Sequence, residues 1–403
     1  MRVLVADRLA AGSLDEMRAL GVEVSYEPDL TPAELPAALT GVNVLIVRGT
    51  EVSQEAIEAG ETLNLIIRAG AGVNTIDVRT ASERGIYVAN CPGKNASAVA
   101  ELTFTLIGCL DRRVPDAVYS LRSGKWQKHD FAQALGLRGR KIGIVGLGHV
   151  GRTVLRLAQA YEMIPYGWSR SLTSSRAAEL GVTRVNSIEE LARRSQILTV
   201  HLDLTERTRQ VISRSVLEAL PDGAMVINTA RNELLDYRAL AELVPQKNLR
   251  VGLDVFPEEP ETRDSHYEFR LLTSGLVYGT PHIGASTDEA QIAIANEAVR
   301  ILRSFILKGE VPNVVNISVT SGARYQLVVR HRDRIGALAN VLGVLKRHGI
   351  NIQELDNNIF EGGKAACAKI RLDTRPSDSC MQEIMAFSDE ILHVDLVTLP
   401  NMA

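Results

Sequence analysis

Short apolar runs recur through the first ninety residues, at Arg2–Ala6, Val22–Tyr26, Val42–Val47, Leu63–Ile67 and Ile86–Ala89. Runs of this length without polar alternation suit strands buried on both faces. Their alternation with helical patterns predicts a parallel sheet in a small α/β domain. A helical stretch from about Ser97 to Arg122, rich in Ala and Leu, predicts a crossing into a second domain. Six further runs follow there: Lys141–Val145, Ile164–Trp168, Ile197–Leu202, Ala224–Asn228, Arg250–Asp254 and Leu276–Gly279. Helical patterns separate most of them, so a second parallel sheet is expected. Ser286-Thr287-Asp288-Glu289 has the spacing of a capping box and predicts a helix through about Leu307 that carries the chain back to the first domain. Gly309-Glu310-Val311-Pro312-Asn313 predicts its end and a linker. From about Ser318 the pattern changes. Strands at Tyr325–Arg330, Ile352–Phe360, Ala365–Leu372 and His393–Leu399, with helices at Ala337–His348 and about Asp378–Phe387, make a β-α-β-β-α-β order. The expected fold class is α/β, with two doubly wound parallel sheets and a C-terminal ferredoxin-like sandwich. The expected divisions are 1–96 with 286–313, 97–285, and 318–403.

Composition narrows the classes. A chain of 403 residues with 45% hydrophobic content is long enough for two or three cored domains. A net charge of −3 and 4% aromatics give no basic or base-stacking surface for nucleic acid. No apolar run is long enough to span a bilayer. The segment from Met1 to Asp7 reads as a first strand and not as a signal peptide. Cys91, Cys109, Cys367 and Cys380 form no Cys-x-x-Cys pair. Reduced thiols and a cytoplasmic protein are the expectation, with no metal required.

The run Lys141–Val145 leads into Gly146-Leu147-Gly148-His149-Val150-Gly151. The first glycine allows a tight turn, the second lets backbone approach a pyrophosphate, and the third lets the next helix pack closely on the sheet. That helix's first amides and dipole favour phosphate. The motif follows a strand and opens a helix, as a dinucleotide site requires. The next strand should end in an acid for the adenine ribose, but Tyr166-Gly167-Trp168-Ser169-Arg170 ends in Ser169 instead. Arg170 is either a partner for a 2′-phosphate, which makes NADP(H) acceptable or preferred to NAD(H), or a solvated cation.

Ligands of an open parallel sheet gather at the carboxyl ends of its strands. The last three runs lead to Arg231, to Glu258 and Glu259, and to His282. Oxidising a secondary alcohol by hydride transfer also requires loss of the hydroxyl proton, and an imidazole is suited to take it at neutral pH. A carboxylate beside the imidazole favours its protonated form. A guanidinium binds a substrate carboxylate through two parallel hydrogen bonds. Each residue alone is more simply a buried histidine or a surface ion pair; three at consecutive strand ends are not. Asp254 is expected either near the nicotinamide carboxamide or as a helix cap.

These residues resemble the D-isomer-specific 2-hydroxyacid dehydrogenase family. The resemblance rests on Arg68–Asp77, Ala100–Thr103, Val145–Gly151, Asn228–Arg231, Leu253–Pro260 and Thr280–Ser286. It covers roughly the first three hundred residues. It implies a flavodoxin-like substrate domain, a Rossmann NAD-binding domain, and Arg231, Glu259 and His282 as the catalytic residues. Glu259 is selected over Glu258 because the family's acid directly precedes proline. The cofactor would meet Gly146, Gly148, His149, Val150, Gly151, Ser169, Arg170, Leu202, Thr229, Ala230, Asp254 and Gly284. Backbone amides of Gly70, Ala71, Gly72 and Val73 would hold the substrate carboxylate. Arg48 and Arg68 match phosphate-binding arginines of the family, which favours 3-phospho-D-glycerate, oxidised to 3-phosphohydroxypyruvate at the start of L-serine synthesis. The alternative is an NADPH-dependent glyoxylate or hydroxypyruvate reductase. The tail resembles an ACT module, in which amino-acid effectors bind between paired domains. His331, Asp333 and Asn351 would be the contacts, although Asp333 replaces an Asn-like residue. The resemblance also implies a homodimer or homotetramer. Asn74 and Asp203 depart from the family's usual Asp and Pro.

Overall fold

The computed structural model describes residues 1–10, 12–260, 265–318 and 322–400. The chain forms two compact units, Met1–Asn316 and Ile317–Ala403. The first unit holds two parallel sheets. Strands β1 (Arg2–Val5), β2 (Glu23–Tyr26), β3 (Val44–Val47), β4 (Leu65–Arg68) and β5 (Tyr87–Asn90) pair in the order β2-β1-β3-β4-β5. Val44, Leu45, Ile46 and Val47 are all fully buried, as a strand covered on both faces requires. The strand order reverses between β1 and β3, so the ends of those two strands flank the sheet's natural crevice.

The second sheet contains β6 (Lys141–Val145), β7 (Ile164–Trp168), β8 (Thr183–Arg184), β9 (Ile197–Val200), β10 (Met225–Asn228), β11 (Arg250–Leu253) and β12 (Val277–Gly279), in the order β12-β11-β10-β9-β6-β7-β8. Its reversal lies between β6 and β9. The two-residue strand β8 is too short to leave an apolar run in the sequence. Separate apolar cores cover the two faces of each sheet. Each fully buried Leu or Ile contributes about 1.5–3 kcal/mol.

Three expectations are corrected. The helical stretch after Ser97 is two helices, Ala96–Arg112 and Val114–Arg122, broken at Arg113 with φ of 51°. Pro115 is the cause: its ring clashes with the carbonyl four residues back, so the first helix cannot continue. The returning helix, Asp288–Lys308, is capped by Thr287, which accepts from the Ala290 amide, and not by Ser286. The Ser286 amide donates to the Ile283 carbonyl and belongs to the preceding turn. Residues after Gly309 form no free linker. Asn313 donates to Glu297, and Asn316 accepts from the Val88 amide and donates to the Ile86 carbonyl. The returning helix buries Ile294, Ala298, Val299, Ile301 and Leu302 in the core of the five-stranded sheet.

The second unit holds β13 (Tyr325–Arg332), β14 (Ile352–Ile359), β15 (Ala365–Leu372) and β16 (Ile391–Thr398), antiparallel in the order β14-β15-β13-β16. Helices Ala337–Arg347 and Asp378–Met385 complete the ferredoxin-like order. Residues 319–321 and 401–403 of the expected tail domain lie outside the described residues. All four cysteines are free thiols. Among the described residues no helix is long and apolar enough to cross a membrane.

Candidate active site

The glycine loop sits at the reversal point of the seven-stranded sheet. Gly146 has φ of 93°, and a Cβ there would lie 2.3 Å from the His201 carbonyl oxygen. A Cβ on Gly151 would lie 1.9 Å from the Gly146 carbonyl oxygen. Beside Gly148, by contrast, nothing lies within 4 Å of that position. Gly148 precedes the helix His149–Ala160 in extended conformation and offers no side-chain cap. Open space at uncapped helix amides fits a pyrophosphate. Leu202 lies against Gly146, and the exposed His149 packs its ring on Gly93. Val150 packs on the core beneath. Ser169 is half-buried at the end of β7, and Arg170 is exposed and pairs with no carboxylate among the described residues.

Beyond β10, Asn228 brackets the next turn. Its side chain accepts from the Ala230 amide and donates to the Arg231 carbonyl, at 3.0 and 2.8 Å. Thr229 is buried and shares a 2.9 Å hydrogen bond with Thr103. The Arg231 guanidinium donates to the Ala230 carbonyl and, at 3.4 Å, to Asn74 Oδ1. It lies so close to Gly72 that a Cβ there would fall 2.3 Å from one of its nitrogens. Asn74 thus orients Arg231 without neutralising it.

His282 and Glu259 meet directly, with Nδ1 and Oε2 separated by 2.6 Å. The other oxygen of Glu259 accepts from the Phe256 amide at 2.8 Å. Burial pushes the Glu259 carboxyl upward, but the His282 hydrogen bond and charge, the Phe256 amide and Arg231 outweigh it and hold the group below the ordinary range. His282 has φ of 52°, which is uncommon for a non-glycine residue. Asp254 holds that turn: it accepts from Thr280 Oγ1 at 2.6 Å, the Ile283 amide at 2.9 Å and the Gly284 amide at 2.8 Å. Burial raises the Asp254 carboxyl, against those bonds. Only 1% of Asp254 is exposed. Its carboxylate thereby fixes the turn that presents His282.

Arg48, Arg68, Asn74, Arg231, Glu259 and His282 line one cavity of about 440 Å³. The Arg68 guanidinium lies over Gly70, where a Cβ would fall 1.4 Å from it. Its Nε is buried without a partner. Burial, then the charges of Arg231 and Arg48, bring its pKa down to about 10. In the following loop the expected Gly70 amide donates to the Arg68 carbonyl at 2.8 Å, whereas those of Ala71, Gly72 and Val73 meet no protein acceptor among the described residues. Asn95, Thr75 and Ser286 also line the cavity and escaped the sequence reading. Asp7 escaped as well, although it follows β1 and the strand-end rule that selected Arg231 points to it equally.

In the second unit His331 is 2% exposed, and its two ring nitrogens are used by the Arg332 carbonyl and Asn357 Oδ1, at 2.8 and 3.1 Å. Asp333 and Asn351 are exposed.

The chain belongs to the D-isomer-specific 2-hydroxyacid dehydrogenase family. Residues 104–284 match the family described as D-isomer specific 2-hydroxyacid dehydrogenase, NAD binding domain. The chain is 38% identical over 320 residues to D-3-phosphoglycerate dehydrogenase of Methanocaldococcus jannaschii, across 79% of this chain and 60% of that one. The chain thus spans less than two thirds of the length of these curated relatives, 64% for D-3-phosphoglycerate dehydrogenase of Archaeoglobus fulgidus. It is 39% identical to hydroxypyruvate reductase of Thermotoga maritima, across 69% of this chain and 89% of that one. Among solved structures, the NAD+-bound 3-phosphoglycerate dehydrogenase of Entamoeba histolytica aligns with a TM-score of 0.67 and 27% identity, over 79% of this chain and 99% of that one.

Proposed function

We propose that this chain is an NAD(P)-dependent D-2-hydroxyacid dehydrogenase that oxidises 3-phospho-D-glycerate to 3-phosphohydroxypyruvate, the first step of L-serine synthesis. The observation that carries this reading is the convergence of Arg48 and Arg68 with Arg231, Glu259 and His282 on one cavity. Three guanidinium groups in a partly buried site repel one another, and a substrate with a phosphate and a carboxylate relieves that repulsion. Arg231 and the amides of Ala71–Val73 hold the carboxylate and orient C2. When bound, the nicotinamide dinucleotide supplies the hydride acceptor. His282 takes the hydroxyl proton at Nε2, since Nδ1 faces Glu259. Glu259 fixes the ring and stabilises the imidazolium that forms.

A second reading, reduction of glyoxylate or hydroxypyruvate with NADPH, is favoured by Arg170 at the end of β7, where no acid repels a 2′-phosphate. Initial rates in both directions, with phosphorylated and unphosphorylated acids and both cofactors, separate the two. A strong preference for phosphohydroxypyruvate over hydroxypyruvate supports the first. Equal or better use of unphosphorylated acids defeats it and leaves the proton-transfer roles standing.

A further inference from the structure

Asp7 follows β1, and Arg48 follows β3, on the two sides of the reversal point in the five-stranded sheet. A single oxygen of Asp7 accepts three consecutive amides: Arg48 at 2.6 Å, Gly49 at 3.0 Å and Thr50 at 3.0 Å. Thr50 Oγ1 also donates to the Ala6 carbonyl. Successive amides turned to one point make a concavity that ordinarily takes an anion. Here the chain's own carboxylate occupies it, so those amides are directed to Asp7. Arg48 and Gly49 both line the substrate cavity. Asp7 is also the carboxylate whose charge acts on Arg68 against the repulsion from Arg48 and Arg231.

We infer that Asp7 is a positioning residue for the substrate phosphate: it anchors the Arg48–Thr50 loop to β1 so that Arg48 and Arg68 act as one clamp. β3 ends at Val47 and Gly49 has no side chain, so the Asp7 oxygen is the acceptor for all three backbone amides of the loop, beside the Thr50 Oγ1 bond to Ala6. A loosened loop weakens binding of the phosphate while leaving the reacting carbon and His282 undisturbed. The expected signature is therefore a change in KM confined to phosphorylated acids.

This inference rests on the phosphate reading above, and the full-length chain tests both. Phosphohydroxypyruvate and hydroxypyruvate would be compared as substrates of wild type, Arg48→Ala, Asp7→Ala, Asp7→Ser and Asp7→Asn. Asp7→Ala should raise KM for phosphohydroxypyruvate about tenfold, with KM for hydroxypyruvate and kcat within about threefold of wild type. Asp7→Asn keeps an oxygen acceptor and should recover most of the loss. Asp7→Ser is too short to reach all three amides and carries the same expectation as Asp7→Ala should that variant not fold. If Arg48→Ala raises KM selectively but the Asp7 variants do not, the role of Asp7 is overturned and the clamp survives. Losses by Asp7→Ala or Asp7→Ser that fall equally on both substrates, with lowered kcat, also overturn it. An Arg48→Ala variant with unchanged KM for phosphohydroxypyruvate defeats the phosphate reading, and this inference with it.

Discussion

The two parallel sheets of the first unit follow one topological rule and use opposite electrostatics. Both place their working groups at the carboxyl ends of strands. The seven-stranded sheet offers neutral backbone at Gly146–Gly151 and a charge pair, Glu259 with His282, that compensates itself. The five-stranded sheet offers Arg48 and Arg68, and the seven-stranded sheet extends Arg231 toward them; burial first, and then repulsion from Arg231 and Arg48, bring Arg68 down to about 10. One end holds its proton within the compensated Glu259–His282 pair. The other gathers three guanidinium groups, whose repulsion on Arg68 the Asp7 charge opposes only in part. Proton-transfer chemistry and substrate choice should therefore be separable by mutation.

The largest effect is expected on the compensated side. His282→Ala should lower kcat by roughly 10²–10⁴-fold for every acid tested, and wild-type turnover in that variant would remove the proton-transfer scheme. On the uncompensated side, Arg68→Met should raise KM for phosphohydroxypyruvate by about tenfold or more with kcat largely kept. A kcat loss shared by all substrates would erase the contrast between the two ends. Ser169→Asp, which adds the missing acid after β7, should shift the NADPH-to-NADH ratio of kcat/KM about tenfold toward NADH. No shift would mean that Arg170 plays no part in reading the ribose.

The smallest effect is on folding. Glu297, 7% exposed, pairs with Arg300 and Lys94 and accepts from Asn313, so it ties together the segments leaving and rejoining the five-stranded sheet. The Arg300 hydrogen bonds, opposed by burial and aided by Asn313 and Lys94, lower its pKa to about 2. Its folded pKa lies below the unfolded value near 4.5, so its stabilisation is present above pH 4.5 and is lost as pH falls toward about 2. Glu297→Gln should cost roughly 2–4 kcal/mol at pH 7 and flatten the acid limb of the stability curve. Denaturant titrations from pH 7 to pH 3 would reveal it, and parallel curves for variant and wild type would rule it out.

Much of the site was readable because strand ends are readable. A buried strand must be an unbroken apolar run, and the first polar residues after it lie at the sheet's edge. Arg231, Glu259 and His282 follow three such runs, and β10, β11 and β12 are neighbours in the sheet. The same rule applied to the first sheet reaches Arg48, Arg68 and also Asp7, whose role is invisible without the loop it binds. Asp254 was ambiguous for the same reason. Its partners, Thr280, Ile283 and Gly284, lie 26 to 30 residues away.

Sequence patterning determined which segments became strands and helices, the dinucleotide turn, the two parallel sheets and the ferredoxin-like tail. Each follows from local apolar periodicity or from glycines whose Cβ would collide with backbone. Tertiary structure alone decided which carboxylates act on which turns and that residues 313–316 return to the first sheet. Those outcomes depend on hydrogen bonds between distant segments, and a donor and acceptor far apart in sequence leave no periodic trace in it.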